Sequence, residues 1–185
     1  MNDERIKISI VLGTGRESRF TERAARYVLQ IAESLAGIHA EFVDVRSYSL
    51  SYTDRDEAHK EVKRWREHAR SSDAFVIVAP EYNHGYPGEL KILLDSAYDE
   101  YARKAVAIVG VSDGGMGGAR MVENLKPVLI EFQMAVVATS VYFSRVDEVF
   151  DESGALADAA YEGRVKEMLD DLLWWAKALR TARNP

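Results

Sequence analysis

The sequence predicts an α/β fold, a doubly wound parallel sheet of five strands with helices on both faces. Three observations predict it. Five short β-type runs alternate along the chain with five longer runs that are apolar at helical spacing, the pattern of strands joined by right-handed crossover helices. Two of the β-runs, Phe75 to Ala79 and Ala105 to Val111, are wholly apolar, as strands buried on both faces are. The runs in first, third and fourth place each end in a polar or glycine-rich turn, and in open α/β sheets ligands sit at that carboxyl edge.

Size and composition agree with a single domain spanning residues 1–185, of which 47 % are hydrophobic. No linker, internal repeat or low-complexity tract divides it. There is no run of eighteen or more apolar residues, so no membrane partner is expected. Met1 to Arg5 is acidic and lacks the apolar core of a signal peptide. The chain has no Cys, which removes disulfides, thiolate nucleophiles and thiolate metal sites together. A cytoplasmic protein without a metal centre is the expectation. A net charge of −6 argues against a nucleic-acid partner, though a local basic pocket for an anion remains compatible with it.

Ile6 to Leu12 alternates and then turns continuously apolar, as a first strand that is central at its far end. Gly13 to Thr21 follows as a polar turn, and then a helix to about Leu35 with Ala24, Val28, Ile31, Ala32 and Leu35 inward. The first turn of a helix offers free N–H groups to an anion. A dinucleotide fingerprint would need Gly at position 18, where Ser18 stands, and no Walker A sequence is present. The hydroxyls of Thr14, Ser18 and Thr21 with the guanidinium groups of Arg16 and Arg19 suit a phosphate monoester. The same residues also suit helix capping by Ser18 or Thr21 with solvated arginines.

His39 to Val45 alternates as a half-buried second strand, and Asp44 is read as a strand residue. Arg46 to Asp56 is irregular. Glu57 to Ser71 is an amphipathic surface helix with Ala58, Val62, Trp65 and Ala69 inward, which leaves His59 and His68 exposed. Phe75 to Ala79 is the third strand. Pro80 cannot continue a central ladder. From Glu81 to Tyr86 the side chains are polar or aromatic, and Pro87 and Gly88 close the loop. The rings of Tyr82, His84 and Tyr86 and the amide of Asn83 suit a flat heteroaromatic ligand; an ordinary sheet-edge turn is the plainer alternative. Glu89 to Tyr101 reads as a helix. Ala105 to Val111 is the fourth strand, followed by Ser112 and Asp113 and by Gly114, Gly115, Gly117 and Gly118, where backbone can approach a ligand closely. Met121 to Phe132 is a helix that tolerates Pro127. Ala135 to Tyr142 is the fifth strand, Ser144 to Ala155 an acidic loop, and Ala157 to Leu179 the last helix. Trp174 and Trp175 add bulk for core or subunit packing.

One competing motif fails. Gly110 to Gly114 fits G-x-S-x-G, the nucleophile elbow of α/β-hydrolases, but that fold orders its triad Ser, acid, His. All four histidines, His39, His59, His68 and His84, precede Ser112.

The run from Pro80 to Lys91, P-E-Y-N-H-G-Y-P-G-E-L-K, resembles the P-E-Y-N-x-x-x-P-G-x-L-K signature of the NADPH-dependent FMN reductase family, which includes flavodoxin-like quinone, chromate and azo-dye reductases. Residues 13–21 resemble its phosphate loop, roughly G-S-x-R-x-x-S-x-N. Thr14 and Arg16 stand at the hydroxyl and Arg positions, Arg19 where many members carry Ser, and Thr21 where many carry Asn. Ser112 to Arg120 is similar to its glycine-rich segment. Leu90, Lys91 and Asp95 keep the pattern that follows the signature; its Asn and a later Trp are replaced by Ile92 and Ser96. The resemblance implies a flavodoxin-like strand order 2-1-3-4-5, which brings the three ligand loops together with FMN at the switch point. It implies NADPH or NADH as electron donor, ping-pong delivery to small acceptors such as quinones, azo dyes or chromate, and a homodimer or homotetramer. The flavin N5 would carry the chemistry, with no catalytic side chain. Cofactor contacts would come from Thr14, Arg16, Ser18, Arg19, Phe20, Thr21, Pro80, Glu81, Tyr82, Asn83, His84, Ser112, Asp113, Gly114 and Gly115. The alternatives are a flavodoxin-type electron carrier with no NAD(P)H site of its own, and a binding module for another flat ligand.

Overall fold

The computed structural model describes residues 5–51, 53, 59–151, 156 and 158–184. Strands β1 (Ile6–Leu12), β2 (Ile38–Asp44), β3 (Ala74–Pro80), β4 (Ala105–Ser112), β5 (Ala135–Val136) and β6 (Val141–Ser144) form one parallel sheet. Its order is β2-β1-β3-β4-β5, with β6 also on β4, the flavodoxin-like arrangement. Register keeps the strand ends level: Leu12 lies opposite Val78, and Val78 opposite Val109. The loops after β1, β3 and β4 therefore leave the same edge side by side.

Alternate side chains of the central strands feed two cores. Val76 and Val78 of β3 join Ile8 and Ile10 of β1 under α1 (Thr21–Ser34) and α6 (Ala160–Arg183). Phe75 and Ile77 face the other way, under α2 (Lys60–Ser71), α3 (Gly88–Asp95) and α4 (Ala119–Glu131). Every residue of β3 is buried, which is why its sequence reads as an unbroken apolar run. A short helix, α5 (Val146–Val149), interrupts the acidic stretch expected as a loop. Residues 54–58, 152–155 and 157, on which parts of the expected second and last helices and of that loop fall, lie outside the described residues. No helix among the described residues is long and apolar enough to cross a membrane.

Three local expectations need revision and a fourth is narrowed. The fifth strand is broken. Ala135 lies opposite Ala105, yet Val141, six residues on, lies opposite Val109, only four residues on, so two extra residues bulge out and restart the pairing. The helix after the third strand stops at Asp95, where the Ser96 hydroxyl turns back onto the Ile92 carbonyl at 2.8 Å, and a 3-10 turn covers Asp99–Tyr101. His68 is not on the exposed face of α2. It stacks on the buried Trp65 with ring centroids 5.6 Å apart, and its Nε2 lies 2.8 Å from the hydroxyl of Ser9 on β1. Trp174 and Trp175 are 65 % and 41 % exposed, which takes them out of the core.

The edge opposite the three loops is tied by charge. Glu100, buried, accepts from Arg66 and Arg70 at 2.9 and 2.8 Å. At the end of α6, Arg180 donates to the Arg5 carbonyl at 2.8 Å and Arg183 pairs with Asp73 at 3.4 Å.

Candidate functional site

The turn after β1 is held from inside the protein. Arg19, expected to meet an anion, points inward: its side chain is 2 % exposed, donates to the Thr14 carbonyl and pairs with Asp44 and with Glu22. Burial alone would raise the Asp44 carboxyl, but hydrogen bonds from Arg19 and Arg46 outweigh it and hold that carboxyl at about 2. Asp44 is thus more than a strand residue; at the end of β2 it anchors the neighbouring turn. Ser18 takes a left-handed backbone, φ 51°, and neither it nor Thr21 caps the helix, whose N-cap is Phe20 without a side-chain bond. Among the described residues, no hydrogen bond is made by the backbone N–H groups of Glu17, Ser18, Phe20 and Thr21. Free donors gathered just before and at the positive end of a fourteen-residue helix are a donor set that fits a phosphate. A cleft of about 470 Å³ lies beside them, lined by Phe20, Arg23, Arg26 and Arg46 among others.

The turn is also bonded to the loop after β3. Thr14 is fully buried; its hydroxyl lies 3.1 Å from the Tyr82 hydroxyl and 3.2 Å from Glu89 Oε1. Glu89, in the first turn of α3, also accepts from the Gly15 N–H at 2.7 Å. The Arg16 guanidinium is exposed and sits 4.3 Å above the Tyr82 ring.

Pro80, expected to break the ladder, is instead the buried last residue of β3, opposite Val111 at the strand's end where the missing N–H costs least; beyond it the chain makes a two-residue hairpin. Tyr82 and Gly85 exchange backbone hydrogen bonds at 2.9 and 3.0 Å, with Asn83 and His84 left-handed at φ 50° and 70°. Such primed geometry favours Asn and Gly, so His84 is held there at some conformational cost. Asn83 and His84 present their side chains to solvent at the tip, and Asn124 Nδ2 clamps the His84 carbonyl at 2.6 Å. Glu81, its side chain 5 % exposed, pairs with Arg120 at 2.5 Å and so bolts this loop to the start of α4.

The glycine-rich segment divides in two. Ser112 Oγ donates to the Gly114 carbonyl at 3.0 Å, while Asp113, Gly114, Gly115 and Met116 are exposed. A side chain on Gly114 or Gly115 would meet nothing within 4 Å. Gly117 and Gly118 are left-handed, φ 58° and 83°, and cross the sheet closely: a Cβ on Gly118 would stand 2.7 Å from the Val111 nitrogen.

The expected site residues thus lie on three loops that touch one another at one sheet edge. Arg19 is the exception in direction. Three contributors, Asp44, Glu89 and Asn124, were not anticipated, and Arg120, which belonged to the glycine-rich motif, acts by pairing with Glu81. For Asp44 a signal existed, because an arginine once buried needs an acid; Glu89 stands at a variable signature position.

Comparison with known proteins gives this geometry its context. The sequence model of the NADPH-dependent FMN reductase family matches residues 6–148. An NAD(P)H-dependent FMN reductase of Schizosaccharomyces pombe is 32 % identical over 142 residues, covering 72 % of this chain and 70 % of the relative. A quinone reductase of Pseudomonas putida is 29 % identical over 181 residues, covering 94 % and 96 %. The fold matches FerB, a flavoenzyme NAD(P)H:acceptor oxidoreductase of Paracoccus denitrificans, with a TM-score of 0.80 at 21 % identity over 94 % of this chain and 98 % of that one. Signature, turn and sheet order meet in one conclusion: the chain belongs to the NADPH-dependent FMN reductase family.

Proposed function

We propose that this chain is a single-domain, cytoplasmic FMN enzyme that takes electrons from NADPH or NADH and delivers them to flat, quinone-like acceptors. The observation that carries the reading is the set of free N–H donors among residues 17–21, in a turn bonded to the aromatic hairpin at 82–85. Those donors would hold the flavin phosphate, with Arg16 on the solvent side. Arg19 and Asp44 would brace the turn from within, and Thr14 would tie it to Tyr82. Tyr82, Asn83 and His84, with Ser112 to Gly115, would flank the ring. Glu81 and Arg120 would keep those two loops at a fixed spacing, and open space around Gly114 and Gly115 leaves room for a second flat molecule. FMN, when bound, supplies the redox chemistry by accepting hydride from the nicotinamide and passing electrons to the acceptor. With one shared face for donor and acceptor, the kinetics should be ping-pong.

The test is spectroscopic. Flavin released by denaturing the purified protein should chromatograph as FMN, and anaerobic NADPH or NADH should bleach the bound flavin before any acceptor is added. Recovery of FAD alone would overturn the cofactor assignment. A flavin that stays oxidised with both nicotinamides would move the chain to the electron carriers.

A further inference from the structure

Glu89 stands where the phosphate turn offers two of its donors. Proton counting at Thr14 makes this sharp. A threonine hydroxyl has one proton and two lone pairs. Thr14 gives its proton to Glu89 Oε1 at 3.2 Å and accepts from the Arg16 N–H at 3.3 Å, which leaves one lone pair for the Tyr82 hydroxyl at 3.1 Å. The hydroxyl is then fully used. The Gly15 N–H, the next donor along, is also taken by Glu89, at 2.7 Å. An ionised carboxylate thereby occupies two donors of a turn whose remaining N–H groups await an anion, and adds a negative charge beside a ligand that carries close to two.

We propose that Glu89 is an internal rival of the flavin phosphate: it keeps the turn folded but lowers the preference for FMN over the phosphate-free flavin, and so makes the cofactor exchangeable. This rests on reading residues 14–21 as the phosphate site. A residue serving only as a brace gives the opposite sign, because its loss would loosen the turn and weaken FMN.

Fluorescence titration of apoprotein with FMN and with riboflavin separates these cases. In Glu89→Ala both donors and the charge are released, and the ratio of FMN to riboflavin affinity should rise at least about tenfold over wild type. Glu89→Gln removes the charge while its carbonyl can still accept from both donors, so its ratio should rise less; it also carries the test if the alanine variant melts early. A ratio that is unchanged or lower in Glu89→Gln overturns the role of Glu89 while leaving the phosphate site standing. A Glu89→Ala variant that folds yet binds riboflavin as tightly as FMN, or a wild type that binds neither, overturns the phosphate site itself and the proposal with it.

Discussion

Arg19 and Arg16 sit three positions apart in one turn and have opposite fates. Arg19 is buried against Asp44, Arg16 exposed over Tyr82. Without Asp44 the buried Arg19 keeps only Glu22 and the Thr14 carbonyl, so Asp44→Ala should cost about 1.5–3 kcal/mol of stability at neutral pH by urea denaturation. The pH dependence has a definite sign. The Asp44 carboxyl ionises at about 2 in the folded chain, against 3.8 ordinarily, so its contribution is complete above roughly pH 4 and is lost as pH falls toward 2. Wild-type melting temperature should drop across that window more steeply than that of Asp44→Asn. Arg16→Ala should instead weaken FMN about 10- to 100-fold, with little change in melting temperature. If it changes neither, the arginine only stacks on Tyr82. Thr14 and Arg16 were legible because a motif names their positions. The partners of Arg19 and the place of Glu89 were not, because both depend on which loop lies next to which.

At the scale of elements, periodicity located every central strand and failed where the chain departs from regularity without changing composition. Ala135 to Tyr142 reads as one strand because the residues of the bulge, Val137 to Ser140, carry no turn signal; only pairing with β4 reveals the restart. On α2 the charged stretch concealed His68, since hydropathy treats a histidine packed on Trp65 like one in water. The same helix supplies a pH test. Lys104 donates to the carbonyls of Ala69 and Arg70 at 2.7 and 2.9 Å, closing the C-terminal end of α2. Burial, aided by the nearby Arg183, pulls its ammonium from 10.5 down to about 8. Between those values the unfolded chain holds a proton that the folded chain has lost, so the cost of burying the charge is full below pH 8 and lifts as pH rises toward 10.5. Stability of wild type relative to Lys104→Met should therefore increase from pH 7.5 to 10. A constant difference would mean that the lysine stays charged throughout.

For the whole molecule, the order 2-1-3-4-5 turns three loops that are distant in sequence into one site, and that order came from family resemblance, since alternation along a chain does not say which strands are neighbours. Assembly is the remaining level. Trp174 and Trp175 on α6 are 65 % and 41 % exposed, aromatic surface of the kind enriched at interfaces. Light scattering at micromolar concentration should report at least twice the 20.8 kDa of one chain; a particle of that mass alone would contradict it. The hydrogen bond from Arg180 to the Arg5 carbonyl has a practical consequence. Residue 5 and the end of α6 meet at the edge of the sheet remote from the hairpin and the glycine segment. A tether attached at residue 5 or at the end of α6 would fix the protein to a bead or electrode with its loop edge facing the solution.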